Sequence, residues 1–206
     1  GDFTQINWDK LYEANANSVR NGNGAAVYMV EERRSDLLET SFNSTLNARM
    51  SRHFDITAGI GARYTQSRQF KTVNDLLGAN YVLDIDKFAE QDFSGDSDKL
   101  QNDLDRPNRK VYEDGVFGYN YHLNIYSLNA WVVNQYHSRY WDYYYGAKLT
   151  YTSFQRDGLM RNGRYPDSSF GKGARHSFTD IMLKGGLTYK FNGRHMINAN
   201  VSYGSE

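Results

Sequence analysis

The sequence contains no cysteine, no net charge and no long hydrophobic run. Absence of cysteine leaves the redox compartment open. The 24 basic side chains balance 24 acidic ones with no basic tract between, so nothing here calls for nucleic acid as a partner. The longest apolar run, Ala25 to Val30, is far too short to cross a membrane as a helix. Hydrophobic residues make up only 39% of the chain and mean hydropathy is −0.75, values that on their own describe a soluble protein. Catalytic signatures are missing as well. There is no G-x-S-x-G elbow, and Gly171-Lys172-Gly173 lacks both the upstream glycine and the following Ser or Thr of a phosphate loop. Gly22-Asn23-Gly24 has no third glycine and reads as a loop-tip turn. His53, His122, His137, His176 and His195 are scattered, with no pair at the i, i+2 or i, i+4 spacing that brings two imidazoles to one metal. No enzyme, metal or other cofactor is expected.

What the chain does have is period-two alternation sustained over long runs. Phe54, Ile56, Ala58, Ile60, Ala62 and Tyr64 alternate with Asp55, Thr57, Gly59, Gly61, Arg63 and Thr65, which places one apolar face on a strand. The preceding run carries Leu38, Phe42, Leu46, Ala48 and Met50 on one side, diluted only by Thr40 and Ser44. Trp141, Tyr143, Tyr145, Ala147, Leu149 and Tyr151 repeat the pattern, as do Ile181, Leu183, Gly185, Leu187 and Tyr189, then Ile197, Ala199, Val201 and Tyr203. The stretch from Phe117 to about Gln135 is less regular. Phe117 through Ile125 are apolar at odd positions, whereas Leu128, Ala130 and Val132 are apolar at even ones, which indicates a bulge near Ser127 or a second buried surface.

The connections alternate in length. Ser51-Arg52-His53, His137-Ser138-Arg139 and Asn192-Gly193-Arg194 are short, and Asn192-Gly193 is a strong hairpin signal because both residues tolerate positive φ. Long polar stretches separate the pairs. Short turns at one end and long loops at the other characterise bacterial outer-membrane barrels, with the turns periplasmic and the loops extracellular. The expected architecture is therefore all-β: an antiparallel up-and-down transmembrane β-barrel segment with strands at about residues 36–50, 54–68, 116–135, 140–156, 177–191 and 195–204. Residues 1–35 are expected as an extracellular loop segment, and 69–115 and 157–176 as long loops.

A water-soluble antiparallel sheet also alternates apolar and polar. Length and charge favour the membrane. Ordinary strands run about five to six residues, whereas about eleven residues tilted near 45° cover the roughly 25 Å of a barrel's apolar band. Glu39, Arg49, Asp55, Arg63, Asp142, Lys148, Asp180, Lys184 and Lys190 all fall on the polar face of their strand. Aromatic residues at 15% suit the girdles of a membrane interface, with Phe54 and Tyr64, Trp141 and Tyr151, and Tyr189 at the ends of apolar faces. Six strands do not close a barrel, because single-chain bacterial barrels begin at about eight. The chain is thus expected to be an excised part of a larger one, opening at Gly1-Asp2 without Met and cutting its last strand at Tyr203-Gly204-Ser205-Glu206.

The segment Ile6-Asn7-Trp8-Asp9-Lys10-Leu11-Tyr12-Glu13-Ala14-Asn15, followed by Tyr28-Met29-Val30-Glu31-Glu32-Arg33-Arg34-Ser35-Asp36, resembles text from the barrels of TonB-dependent outer-membrane receptors of the Bacteroides type. Asn129-Ala130-Trp131 and Lys148-Leu149-Thr150-Tyr151-Thr152-Ser153-Phe154, leading to Arg161-Asn162-Gly163, are similar to later parts of those barrels. The resemblance implies a barrel of about 22 strands around an N-terminal plug. It also implies a protein of the Gram-negative cell outer membrane that binds and imports a scarce nutrient with energy delivered through TonB. Its partners would be outer-membrane lipid, the rest of the barrel and its plug domain, TonB, and a small-molecule or oligomeric nutrient. The alternative is a self-contained β-sheet module, soluble or dimeric, with a binding or structural and adhesive role at a surface.

Within the long loop, Asp84, Asp86, Asp92, Asp96, Asp98, Asp103 and Asp105 form an acidic run. Asp96-Ser97-Asp98-Lys99-Leu100-Gln101 breaks the EF-hand pattern at its fifth and sixth positions, so a solvated loop is the better reading than a calcium site. Leu76, Leu77, Tyr81, Val82, Leu83, Ile85 and Phe88 in the same stretch imply a loop that folds on itself, with Tyr81, Asp84 and Asp86 as candidate ligand contacts.

Overall fold

The computed structural model describes residues 5–93 and 95–205, so residues 1–4 of the expected amino-terminal loop and Glu206 of the expected strand end lie outside the described residues. In chain order the elements are α1 (Trp8–Arg20), β1 (Val30–Arg49), β2 (Phe54–Asp75), β3 (Val82–Leu83), α2 (Ala89–Asp92), β4 (Lys110–Val111), β5 (Val116–His137), β6 (Trp141–Gly158), α3 (Pro166–Ser169), β7 (Gly171–Asn192) and β8 (His195–Gly204). The fold is mostly antiparallel β-sheet with an up-and-down strand order. Six strands form one open sheet in the order β1-β2-β5-β6-β7-β8, and β3 pairs with β4 in a small second sheet. The chain divides into two compact units: residues 1–37, 67–123 and 156–174, and residues 38–66, 124–155 and 175–206.

The strands run further at the long-loop ends than hydrophobic alternation indicates. β1 begins at Val30 rather than near 36, β2 continues to Asp75 rather than 68, and β7 begins at Gly171 rather than 177. Polar cross-strand contacts carry the β1 and β2 extensions: Gln69 donates to the Ser35 hydroxyl at 2.6 Å, Lys71 to Glu31 at 3.0 Å and Arg68 to Asn120 at 3.1 Å. Such pairs stabilise a ladder without an apolar face, so a hydrophobic period does not register them.

The first unit has an ordinary hydrophobic core. Ala26, Val73, Leu76, Val82, Val111 and Phe117 are buried together, with Met29 and Ala79 packed against them. Residues 1–35, expected as loop, include the 13-residue helix α1. Asn7 caps it by accepting from the Lys10 amide at 3.1 Å, Asp9 lies in its first turn and Arg20 in its last. Leu11, Ala14, Asn15, Ser18 and Val19, at the i, i+3, i+4, i+7 and i+8 spacing of one helical face, are among its more buried positions, together with Ala16. The helix stops where Gly22 and Gly24 take positive φ and the amides of Asn23 and Gly24 turn back onto the Ser18 carbonyl. Asn15, fully buried, ties the helix to the rest of the unit. Its Nδ2 donates to the carbonyls of Tyr28, Leu76 and Leu77, and its Oδ1 accepts from the amides of Val27 and Tyr28.

The second unit is built from strand bodies with two unlike faces. Phe42, Ile60, Ala62, Leu128, Ala130, Leu149 and Tyr151 line one shallow apolar groove. Leu149, Ala130, Val132, Ala147 and Ile181 line the next. These side chains are open to the surroundings: Phe42 is 59% exposed, Ile60 57% and Leu128 54%. In the β7–β8 pair, Leu183↔Tyr203, Gly185↔Val201, Leu187↔Ala199 and Tyr189↔Ile197 continue the apolar side, while Lys184↔Ser202, Gly186↔Asn200 and Thr188↔Asn198 alternate with them. The opposite face holds the charges, with Arg49 on Asp55 at 3.2 Å, Lys190 on Asp142 at 2.6 Å and Thr65 on Glu39 at 3.3 Å. It also holds the glycines that large neighbours cover. A Cβ on Gly59 would lie 2.6 Å from the Trp131 indole, and one on Gly61 would lie 2.7 Å from Asn129.

The irregularity in β5 resolves as a second buried surface. Tyr64 donates to Asn124 at 2.9 Å and its ring meets that of Tyr126 in a tilted pair with centroids 4.8 Å apart, and Arg68 donates to Asn120, so even-numbered β5 residues share one face from 120 to 130. The backbone keeps its phase past Ser127. What changes is the environment, since Phe117 at an odd position enters the core of the first unit while Leu128 and Ala130 at even positions remain exposed. The Asn192-Gly193 hairpin also forms, but by a different device from the one expected. Neither residue takes positive φ. Instead the Asn192 side chain accepts from the amides of Arg194 at 2.9 Å and His195 at 3.0 Å, closing the turn through its own carbonyl oxygen.

Candidate functional site

The acidic loop is organised around Asp84, which is 1% exposed. Its Oδ2 accepts from Arg109 at 2.5 Å, and its Oδ1 accepts from Asn102 at 3.0 Å and from the Gly118 amide at 2.8 Å. Gly118 has φ +76, a conformation open to glycine, and this aims its N–H at the carboxylate. A buried carboxylate with three donors, one of them a guanidinium, is a structural anchor. Asp86 lies three residues ahead of α2, its Oδ1 accepting from the amides of Phe88 and Ala89, and its Oδ2 faces Arg164 at 3.5 Å. Tyr81 donates its hydroxyl to the Asn23 carbonyl at 3.0 Å, with Lys110 over its ring at 4.3 Å. The three residues singled out by sequence thus share one folded loop, and each directs its polar atoms into the chain.

Three more of the acidic run are paired, Asp103 with Arg106, Asp105 with Arg161 and Asp96 with Lys99. Asp103 is itself buried and also accepts from the amides of Asp105 and Arg161. Among the described residues no group of three or more His, Asp or Glu side chains is arranged to hold a metal ion.

The geometry brings forward residues that sequence reasoning left aside. A cavity of about 410 Å³ in the first unit is lined by Tyr28, Glu31, Lys71, Asp86, Phe88 and Tyr119 among others. Glu31 sits near the start of β1, ahead of that strand's apolar run, and accepts from Arg33 at 2.8 Å and Lys71 at 3.0 Å. Burial by itself would raise the Glu31 carboxyl, but the hydrogen bonds and charges of Arg33 and Lys71 outweigh it and hold the group below its ordinary value. The Lys71 ammonium lies 5.7 Å from the Phe117 ring centre and 5.6 Å from that of Tyr119. Phe88 stands at 89% exposure. Aromatic faces beside a carboxylate held between two cations offer stacking and hydrogen-bonding edges, which suits a polar molecule. The signal in the sequence was the alternation Phe117, Tyr119, Tyr121, whose inward direction becomes apparent only once Lys71 is placed against it.

No protein-family model matches this chain, and no curated protein matches it.

Proposed function

We propose that this chain is a length of wall from a TonB-dependent receptor of the outer membrane, a binding and import protein rather than an enzyme. One observation carries the reading: the strand bodies of the second unit present an exposed apolar face, Phe42, Ile60, Leu128 and Leu149 among them, opposite a face of ion pairs and covered glycines. In water that face is a liability; against lipid hydrocarbon it is satisfied, and a midplane Arg or Lys on it would cost about 2 to 4 kcal/mol. The open edges of β1 and β8 support a barrel completed by further strands, because unpaired backbone groups are not tolerated in lipid. The folded loop around Asp84 and the neighbouring cavity supply the extracellular capture surface, with Tyr81, Asp84 and Asp86 shaping it, and the imported nutrient then passes a plug driven through TonB.

Cell fractionation tests this. An antibody raised against residues 36–206 is expected to detect a band far larger than 23.8 kDa in the outer-membrane fraction. A secreted soluble species near 23.8 kDa would instead favour a self-contained β module.

A further inference from the structure

We propose that Arg34 and Arg68 form a site for the phosphate groups of outer-leaflet lipids. The proposal rests on the membrane reading above and adds a specific lipid contact to it. Both arginines lie on the apolar side of their strands: Arg34 shares the face of Leu38 and Phe42 on β1, and Arg68 that of Ile60, Ala62 and Tyr64 on β2. Arg68 is four residues beyond Tyr64, about 13 Å along the strand. Tyr64 is itself half of the Tyr64–Tyr126 ring pair, a placement that suits the membrane boundary. An arginine at mid-membrane on this face would be strongly destabilising, whereas near the interface the cost falls to about 0 to 1 kcal/mol. Just past an aromatic girdle is the depth of lipid phosphates.

The local geometry prepares the guanidinium groups for an anion. Phe70 is buried at 3% exposure, with the Arg68 guanidinium 4.2 Å from its ring centre and that of Arg34 at 5.1 Å. A guanidinium held over a ring by cation–π attraction keeps N–H groups that can still bond an anion. Arg68 Nε is held by Asn120 at 3.1 Å, and among the described residues neither of its Nη nitrogens has a hydrogen-bond partner and no carboxylate pairs with it. Arg34 has one counter-charge, Asp36, at 3.2 Å. Of the two guanidiniums beside this ring only Arg34 has a carboxylate partner, so the group carries one uncompensated positive charge and the Arg68 Nη donors stay unpaired among the described residues. A phosphate, with several acceptor oxygens, matches those donors.

The test uses the protein that carries this chain, solubilised in a zwitterionic detergent and titrated by calorimetry with dihexanoyl phosphatidic acid, dihexanoyl phosphatidylcholine or inorganic phosphate. Phosphatidic acid is expected to bind most tightly, and Arg68→Gln and Arg34→Gln each to weaken it about fivefold. Arg68→Lys, which keeps the charge but loses the planar guanidinium edge, should fall between. Inorganic phosphate binding as tightly as phosphatidic acid would overturn the lipid assignment, as would an affinity unmoved by Arg68→Gln in protein whose circular dichroism remains β. Detergent phase separation distinguishes the two levels of failure. Protein found in the aqueous phase overturns the membrane reading and this site with it, whereas protein in the detergent phase with unchanged affinity overturns this site alone.

Discussion

Single residues decide how the long connections fold. Asn15 makes five hydrogen bonds from a fully buried position, joining α1 to the backbone ahead of β1 and after β2. Asn15→Ala leaves three carbonyls and two amides to find other partners, and should cost about 3 kcal/mol. The expected readout is faster proteolytic cleavage within residues 8–27 with cleavage at the Asn192-Gly193 hairpin unchanged. Glu31 introduces a pH dependence. Its folded carboxyl is held below the ordinary value, so the stability it contributes is present above the unfolded pKa and is lost as pH falls through the folded one. Protease resistance of the loop unit should therefore drop on acidification through the carboxylate range, and Glu31→Gln should lower it at neutral pH and flatten that dependence. None of this was legible in composition. Asn15 looked like one polar residue among several in a loop, and Glu31 has no partner within reach in sequence except Arg33, because Lys71 lies forty residues away.

At the scale of elements, alternation identified the strand bodies and lost their extensions. Period two is visible where one face is apolar, as in residues 54–65 and 141–152. It fades at Gln66 to Thr72, where β2 is held by polar cross-strand contacts. Helix α1 did carry a signal, with Asn7 as cap and Leu11, Asn15 and Val19 along one side, but a helix among long strands is invisible to a search for period two. The two faces of β5 yield a paired prediction. Leu128→Arg puts a charge on the exposed apolar face and should destabilise the protein in lipid vesicles by about 2 to 4 kcal/mol. Asn129→Arg, one residue along, puts it on the face that holds Trp131 and the ion pairs, and should be tolerated. Urea unfolding in vesicles checks both, and equal effects would show that the two faces meet the same surroundings.

For the whole molecule, the open sheet links structure to function. The strands β1 and β8 each leave one edge without a strand partner among the described residues, and the apolar side chains of the second unit's strands stand exposed. The up-and-down order was legible because alternate connections are short, and the sheet they build is not closed. That the exposed face of the second unit lies in lipid is the claim on which the rest depends. The 206 residues contain no cysteine, so a single one placed at each position from 126 to 132 of β5 gives one environment-sensitive label at a time. With the protein reconstituted in vesicles, labels at Tyr126, Leu128, Ala130 and Val132 should be quenched by brominated lipid, and those at Ser127, Asn129 and Trp131 by aqueous iodide, with a period of two. Iodide quenching at all seven positions, with no effect of brominated lipid at Leu128 or Ala130, would contradict the account.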